Sequence, residues 1–150
     1  MPSIEEAIKQ KEFASSSEKL SINILFTASW LNTTHSQLLR PFDLTPQQYN
    51  VLRILRGQKG GALSVNDINC RMVDKMSNGS RLVEKLRIKK LVHRQESKDD
   101  RRTMDVMITS QGLDVLTAID PKISQHRELF SNLEDHEIAL LNDLLDKLRN

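Results

Sequence analysis

Ten basic side chains fall between Lys75 and Arg102: Lys75, Arg81, Lys85, Arg87, Lys89, Lys90, Arg94, Lys98, Arg101 and Arg102. Only four acids share that window, Glu84, Glu96, Asp99 and Asp100. The window therefore carries about +6 and the remainder about −4, although the whole chain is only +2. A field this segregated attracts a polyanion to one surface. The pattern from Lys75 to Thr109 is that of a helix followed by two strand-like runs, joined by the charged turn Ser97-Lys98-Asp99-Asp100-Arg101-Arg102. A basic helix beside a basic-tipped hairpin suits a DNA duplex, because the helix can enter one groove while the hairpin reaches the next. Composition alone is equally compatible with a solvated helix face and an ordinary hairpin.

The elements that must position these groups are legible in outline. The chain has 150 residues, 38% of them hydrophobic. That is enough for one compact domain, or for a domain with helical extensions. No run of about 18 apolar residues is present, so no membrane span is expected. The start, MPSIEEAIKQKEF, is charged and amphipathic, unlike a secretion signal. A single cysteine, Cys70, excludes an internal disulfide and fits a reducing, cytoplasmic setting. No repeat or low-complexity tract stands out.

Ser3 and Glu6 form a capping-box pattern for a first helix. The three serines at 15–17 interrupt or bend it, and a longer helix is expected from about Glu18 to Leu39. Arg40-Pro41 should end that helix, since a residue before proline avoids the helical region. Thr45-Pro46-Gln47-Gln48 starts another, with Leu44 and Tyr49 at staple positions. It carries Val51, Leu52, Ile54 and Leu55 and stops at Gly57. Ser64 to Asp67 starts a short helix to about Met72, and a further helix is expected from Asp74 or Lys75. Two short helices joined by a tight turn make a helix-turn-helix. Gly79, Leu82, Val83 and Leu86 then face inward, while Ser77, Arg81 and Glu84 point outward, flanked by Asn78 and Lys85. Val92–Glu96 and Thr103–Thr109 read as paired strands. A helix follows from Ser110, and Pro121 either kinks it or starts a new helix with Asp120 as its cap. The last helix, from about Asn132 to Arg149, has Ile138, Leu141, Leu144, Leu145 and Leu148 on one side. The fold class is mainly α with a small β-hairpin wing: a lobe at about 44–109, and helices at about 1–40 and 110–150.

Four segments resemble the MarR family of winged helix-turn-helix transcription regulators. Leu44-Thr45-Pro46-Gln47-Gln48-Tyr49-Asn50-Val51-Leu52 is similar to the family's LTPxQxxVL. Ser80 to Leu86 resembles its TRLVDRL recognition helix. Asp99-Asp100-Arg101-Arg102 with Val106 to Thr109 resembles the wing, leading into Gly112. Leu133 to Glu137 resembles the start of the last helix. Their order and spacing over roughly Leu20 to Leu148 are more specific than any one of them. The resemblance implies a homodimer whose terminal helices intertwine, with two lobes on successive major grooves of a pseudo-palindromic operator. The residues supply a physical reason of their own, because the first and last helices have apolar stripes with too little chain left to cover them. One departure stands out: Lys89-Lys90-Leu91 replaces the family's Lys-Gly-Leu. Either Lys90 occupies a strained left-handed cap or the helix ends differently.

On this reading, Lys75, Ser77, Asn78, Ser80, Arg81, Lys98, Arg101 and Arg102 contact DNA. Arg102 is the minor-groove arginine, braced by a hydrogen bond to Asp100. Arg81 pairs with guanine or grips phosphate. Arg101 contacts phosphate or packs under the wing, and Lys75 and Lys98 meet phosphates. The bland alternatives are caps, solvated faces and surface ion pairs. Cys70 reads as a buried structural thiol, because the family's peroxide-sensing cysteine lies in the first long helix, which has none here. His35, His93, His126 and His136 show no metal-ligand spacing, although His35 and the distant His126 could converge; no metal or cofactor is expected. The family's effector crevice lies between the dimer helices and the lobe, with Trp30, His35 and Tyr49 as candidates to line it. The expected function is a cytoplasmic DNA-binding regulator, a repressor released by a small molecule. The alternative is a winged-helix protein-interaction module without DNA binding. No nucleophile–base pair, phosphate-cradling glycine loop or paired acid site suggests an enzyme.

Overall fold

The computed structural model describes residues 2–150. Ser3 caps a single helical turn, α1 (Ile4–Ile8), and its capping box with Glu6 forms as expected. Ser15 then caps the long helix α2 (Ser16–Leu39) by accepting the Glu18 N–H. Arg40 nevertheless remains helical (φ −53°, ψ −44°) despite preceding Pro41. The chain tightens into a 3-10 turn at Arg40–Phe42 and is turned away one residue later, where Asp43 is left-handed with φ 55°. The expected stop is therefore set by Asp43 rather than by the proline's effect on Arg40.

The Thr45–Gln48 capping box opens α3 (Pro46–Arg56), which ends at Gly57. Its inward face supplies Val51, Leu52 and Leu55, all fully buried. A two-residue strand, β1 (Leu63–Ser64), runs directly into α4 (Val65–Arg71), capped by Ser64. Helix α5 (Gly79–Ile88) follows a turn, and β2 (Val92–Glu96) and β3 (Met104–Ile108) form the hairpin. All pairings are antiparallel in the order β1-β3-β2, with Leu63 opposite Val106 and Arg94 opposite Val106 on the other edge. β1 is missed by sequence reading because two residues are too few to show alternation.

Helix α6 (Ser110–Gln125) continues through Pro121. Asp120 does not cap a new helix; its carboxylate instead accepts two hydrogen bonds from Arg56 Nη1, at 3.0 and 2.9 Å, tying α6 to α3. A 3-10 turn (His126–Phe130) leads to α7 (Asp135–Arg149). One continuous core joins α3, α4, α5, the sheet and α6. Full burial of each such aliphatic side chain contributes roughly 1.5–3 kcal/mol relative to exposure. By contrast, α7 buries no residue: Leu140, Leu141, Leu144 and Leu148 are each about half exposed. Leu20, Leu25 and Phe26 on α2 are exposed as well.

The departure at Lys90 resolves as a left-handed cap with φ 62°. The Leu91 N–H donates to Leu86 O at 3.0 Å and the Lys90 N–H to Arg87 O at 2.9 Å, the doubly bonded ending usually built on glycine. Buried Leu91 and Leu86 supply the accompanying apolar contact. Thr109 holds the cap from the far side, its hydroxyl donating to Lys90 O at 2.8 Å and its N–H to Leu91 O at 3.0 Å. Side chains with a Cβ are strained in this conformation by about 1–2 kcal/mol. Lys90→Gly should therefore be more stable than Lys90→Ala by about 1 kcal/mol in urea unfolding, and equal stabilities would contradict the assigned cap.

Candidate nucleic-acid interface

Helix α5 begins about four residues later than the sequence suggests, at Gly79. Asp74 organises the lead-in: its carboxylate accepts the Met76 N–H at 2.9 Å, and its carbonyl accepts the Ser77 N–H at 3.1 Å. This local turn competes with helix, as aspartate commonly does. Asn78 is the cap, its side-chain oxygen accepting the Arg81 N–H at 3.1 Å. Ser77 consequently lies before the helix, and its hydroxyl is enclosed without a hydrogen-bond partner. It does not present an outward group as expected. Lys75 is exposed, with its ammonium folded back on Cys70 O at 2.6 Å.

The seat of α5 is set by Gly79. Its N–H donates to Asn69 Oδ1 on α4 at 2.9 Å, and an added Cβ would stand only 2.3 Å from that oxygen. Gly79, Val83 and Leu86 are buried, whereas Ser80, Arg81 and Lys85 are exposed. The inward and outward faces therefore follow the periodicity from Gly79 onward. Glu84 lies between them, bonded bidentately to Arg87 and reached by Arg94 of β2 at 3.4 Å. The Arg87 guanidinium holds the Glu84 carboxyl below the usual carboxylate range. The network ties the wing's first strand to the helix and engages Arg87 and Arg94 with one carboxylate.

At the wing tip Lys98, Asp99, Asp100, Arg101 and Arg102 are all exposed. Asp100 does brace Arg102, but through the backbone: the Arg102 N–H donates to Asp100 Oδ1 at 2.9 Å. The Thr103 N–H and hydroxyl both close on Asp100 O, at 3.1 and 3.0 Å. The carboxylate fixes the turn, and the guanidinium remains available. Among the described residues, Arg81, Lys85, Lys98, Arg101 and Arg102 form no ion pair.

Cys70 is exposed, not buried. Ile68 and Met72 take the inward face of α4 and its end, leaving Cys70 on the other side. Among the described residues no three metal-ligating side chains gather. No helix there is long and apolar enough to cross a membrane.

A crevice of about 440 Å³ separates α2 and α6 from the lobe. His35 and Tyr49 line it, together with Arg53, Arg56, Asp120, Val73 and Asp74. Trp30 does not line it, although Asn32, two residues further along α2, does. Tyr49, Arg53 and Arg56 follow one another at four- and three-residue spacing, a one-face pattern that could have revealed both arginines. His35 stacks on His126, with ring centroids 5.0 Å apart. Burial, then the neighbouring His126 and Arg53, lowers the His35 pKa below the ordinary histidine value.

The fold and its exposed basic helix and wing define a winged helix-turn-helix protein. Residues 42–103 match the model of the MarR family. The repressor MprA of Escherichia coli (strain K12) is 24% identical over 123 residues, 80% of this chain and 69% of that protein. A MarR variant from E. coli solved with operator DNA is 23% identical, with a TM-score of 0.80 over 92% of this chain and 99% of that one. BpsR of Bordetella bronchiseptica, solved in work on how 6-hydroxynicotinic acid regulates its DNA binding, is 23% identical, with a TM-score of 0.78 over 93% and 99%. The family match thus covers the winged helix-turn-helix segment, and the curated proteins that the chain resembles are named as transcriptional regulators.

Gly79→Ala should destabilise the protein by about 1–3 kcal/mol in urea unfolding, since either Asn69 moves or its hydrogen bond to a part-buried N–H is lost. A neutral Gly79→Ala would contradict the seat. Because the folded state disfavours His35 protonation, stability should fall as pH drops below about 6.5 toward the lowered folded pKa. His35→Gln should flatten that decline in melting temperature between pH 7 and pH 5; an unchanged slope would contradict the assignment.

Proposed function

We propose that this chain is a cytoplasmic regulator that binds double-stranded DNA as a homodimer and represses transcription. In this reading residues 44–109 form the DNA-binding lobe, and the helices within 1–40 and 110–150 join two chains. One observation carries it: exposed Arg81 and Lys85 on α5, with Lys98, Arg101 and Arg102 at the wing, have no carboxylate partner among the described residues. The exposed leucines of α7 support the pairing of two chains. Two lobes related by a two-fold axis read half-sites about one DNA turn apart.

Asn78, Ser80 and Arg81 meet the major groove, with Lys75 alongside. Lys98 and Arg101 meet phosphates, and Arg102 enters the minor groove. Ser77 contributes through the shape of the turn, its enclosed hydroxyl being unable to reach a base without rearrangement. A small molecule in the crevice touches α2, α6 and the Val73-Asp74 lead into α5. It releases DNA to the extent that it prefers a lobe position mismatched to the operator.

A mobility-shift or anisotropy titration against the promoter region beside its own gene tests this. Arg102→Ala should weaken binding across sequences and reduce the salt slope by about one per chain. Arg81→Ala should also relax base preference, at a cost of roughly 1–3 kcal/mol per half-site if the guanidinium reads guanine. A folded dimer that binds no DNA at low salt would contradict the proposal.

A further inference from the structure

Met76 is the most exposed large apolar side chain among the described residues, at 92%. It stands two residues before the Asn78 cap of α5, on the turn that precedes the helix. Its backbone is fixed rather than loose, because Asp74 holds both the Met76 and the Ser77 N–H. Lys75 turns back to Cys70 and leaves Met76 solvated. Its neighbours toward the helix, Asn78, Ser80 and Arg81, are all exposed polar groups. An apolar side chain is thus presented at the leading end of the helix, continuous with the surface assigned to DNA under the proposed function.

The major groove offers one apolar group of its own, the 5-methyl of thymine. The N-terminal end of a recognition helix is the part that approaches base edges. A methionine is unbranched and polarizable, and so adapts its contact surface to such a target. We propose that Met76 is a specificity-determining residue whose side chain packs on the methyl of one thymine in each half-site. This rests on the DNA-binding reading.

The test uses the whole chain and a duplex recovered from a random-sequence pool by repeated binding to it. Each thymine is replaced in turn by uracil, which removes only the methyl. Uracil at one thymine per half-site should weaken binding about fourfold, the effect of leaving one methyl group unburied. Met76→Gln should bind the thymine duplex about fourfold more weakly and show no further loss with uracil there. Met76→Leu should keep the thymine preference, and melting curves verify that both variants fold. Indifference of the wild type to uracil at every position would overturn the proposal, as would an unchanged uracil penalty in Met76→Gln. Either result leaves DNA binding itself intact. Absence of binding to any pool duplex at low salt would instead overturn the DNA-binding reading and this proposal together.

Discussion

Everything this chain presents outward from the lobe depends on how closely α5 sits against α4. The approach is possible only because residue 79 has no side chain. Gly79 places its N–H on Asn69, and any Cβ would collide with the same oxygen. That single contact fixes where the helix begins, and hence which way Ser80, Arg81 and Lys85 face. At the other end Lys90 accepts a left-handed conformation so that Leu91 can return to the core and start the wing. Gly112 permits a second close approach: a Cβ there would stand 2.4 Å from Leu91 O. The helix and the wing are thus set by backbone packing, while the charged side chains remain solvated.

The electrostatics follow the same division. Glu84 occupies Arg87 and Arg94, so those two cations serve the junction of helix and wing. Lys89 is likewise committed, bonding Asp43 and Gln48 at the joint between α2 and α3. Of the ten basic residues in the window, these three hold the lobe together. The unpaired group at the helix and wing tip is smaller and better placed than the +6 total suggests.

Most helices are legible in the sequence because their caps are local. Ser3, Thr45 and Ser64 each open a helix where the pattern places it. The inward face of α5 is legible from helical spacing, although its start is not. Asp74 makes a turn whose hydrogen bonds resemble those of a cap in sequence, and only the tertiary contact with Asn69 decides between them. Cys70 is misplaced when burial is inferred from residue type; the neighbours Ile68 and Met72 already claim the inward face. The Asp100–Arg102 spacing is informative, but the carboxylate meets the backbone, which no spacing can reveal. His35 and His126 are 91 positions apart, and their stacking depends on the path of α6 through Pro121. The crevice arginines are readable in principle, because Tyr49, Arg53 and Arg56 recur on one face of α3.

The apolar faces left on α2 and α7 and the polar, cationic edge of α5 and the wing give the chain two unlike surfaces. In the proposed assembly the apolar surface joins two chains, and the two cationic edges meet DNA side by side. Hydroxyl-radical footprinting of the purified protein on a selected duplex tests that arrangement most directly. It should show two equivalent protected patches about ten base pairs apart, on one face of the duplex. A single protected patch, or unequal patches at any other spacing, would contradict it.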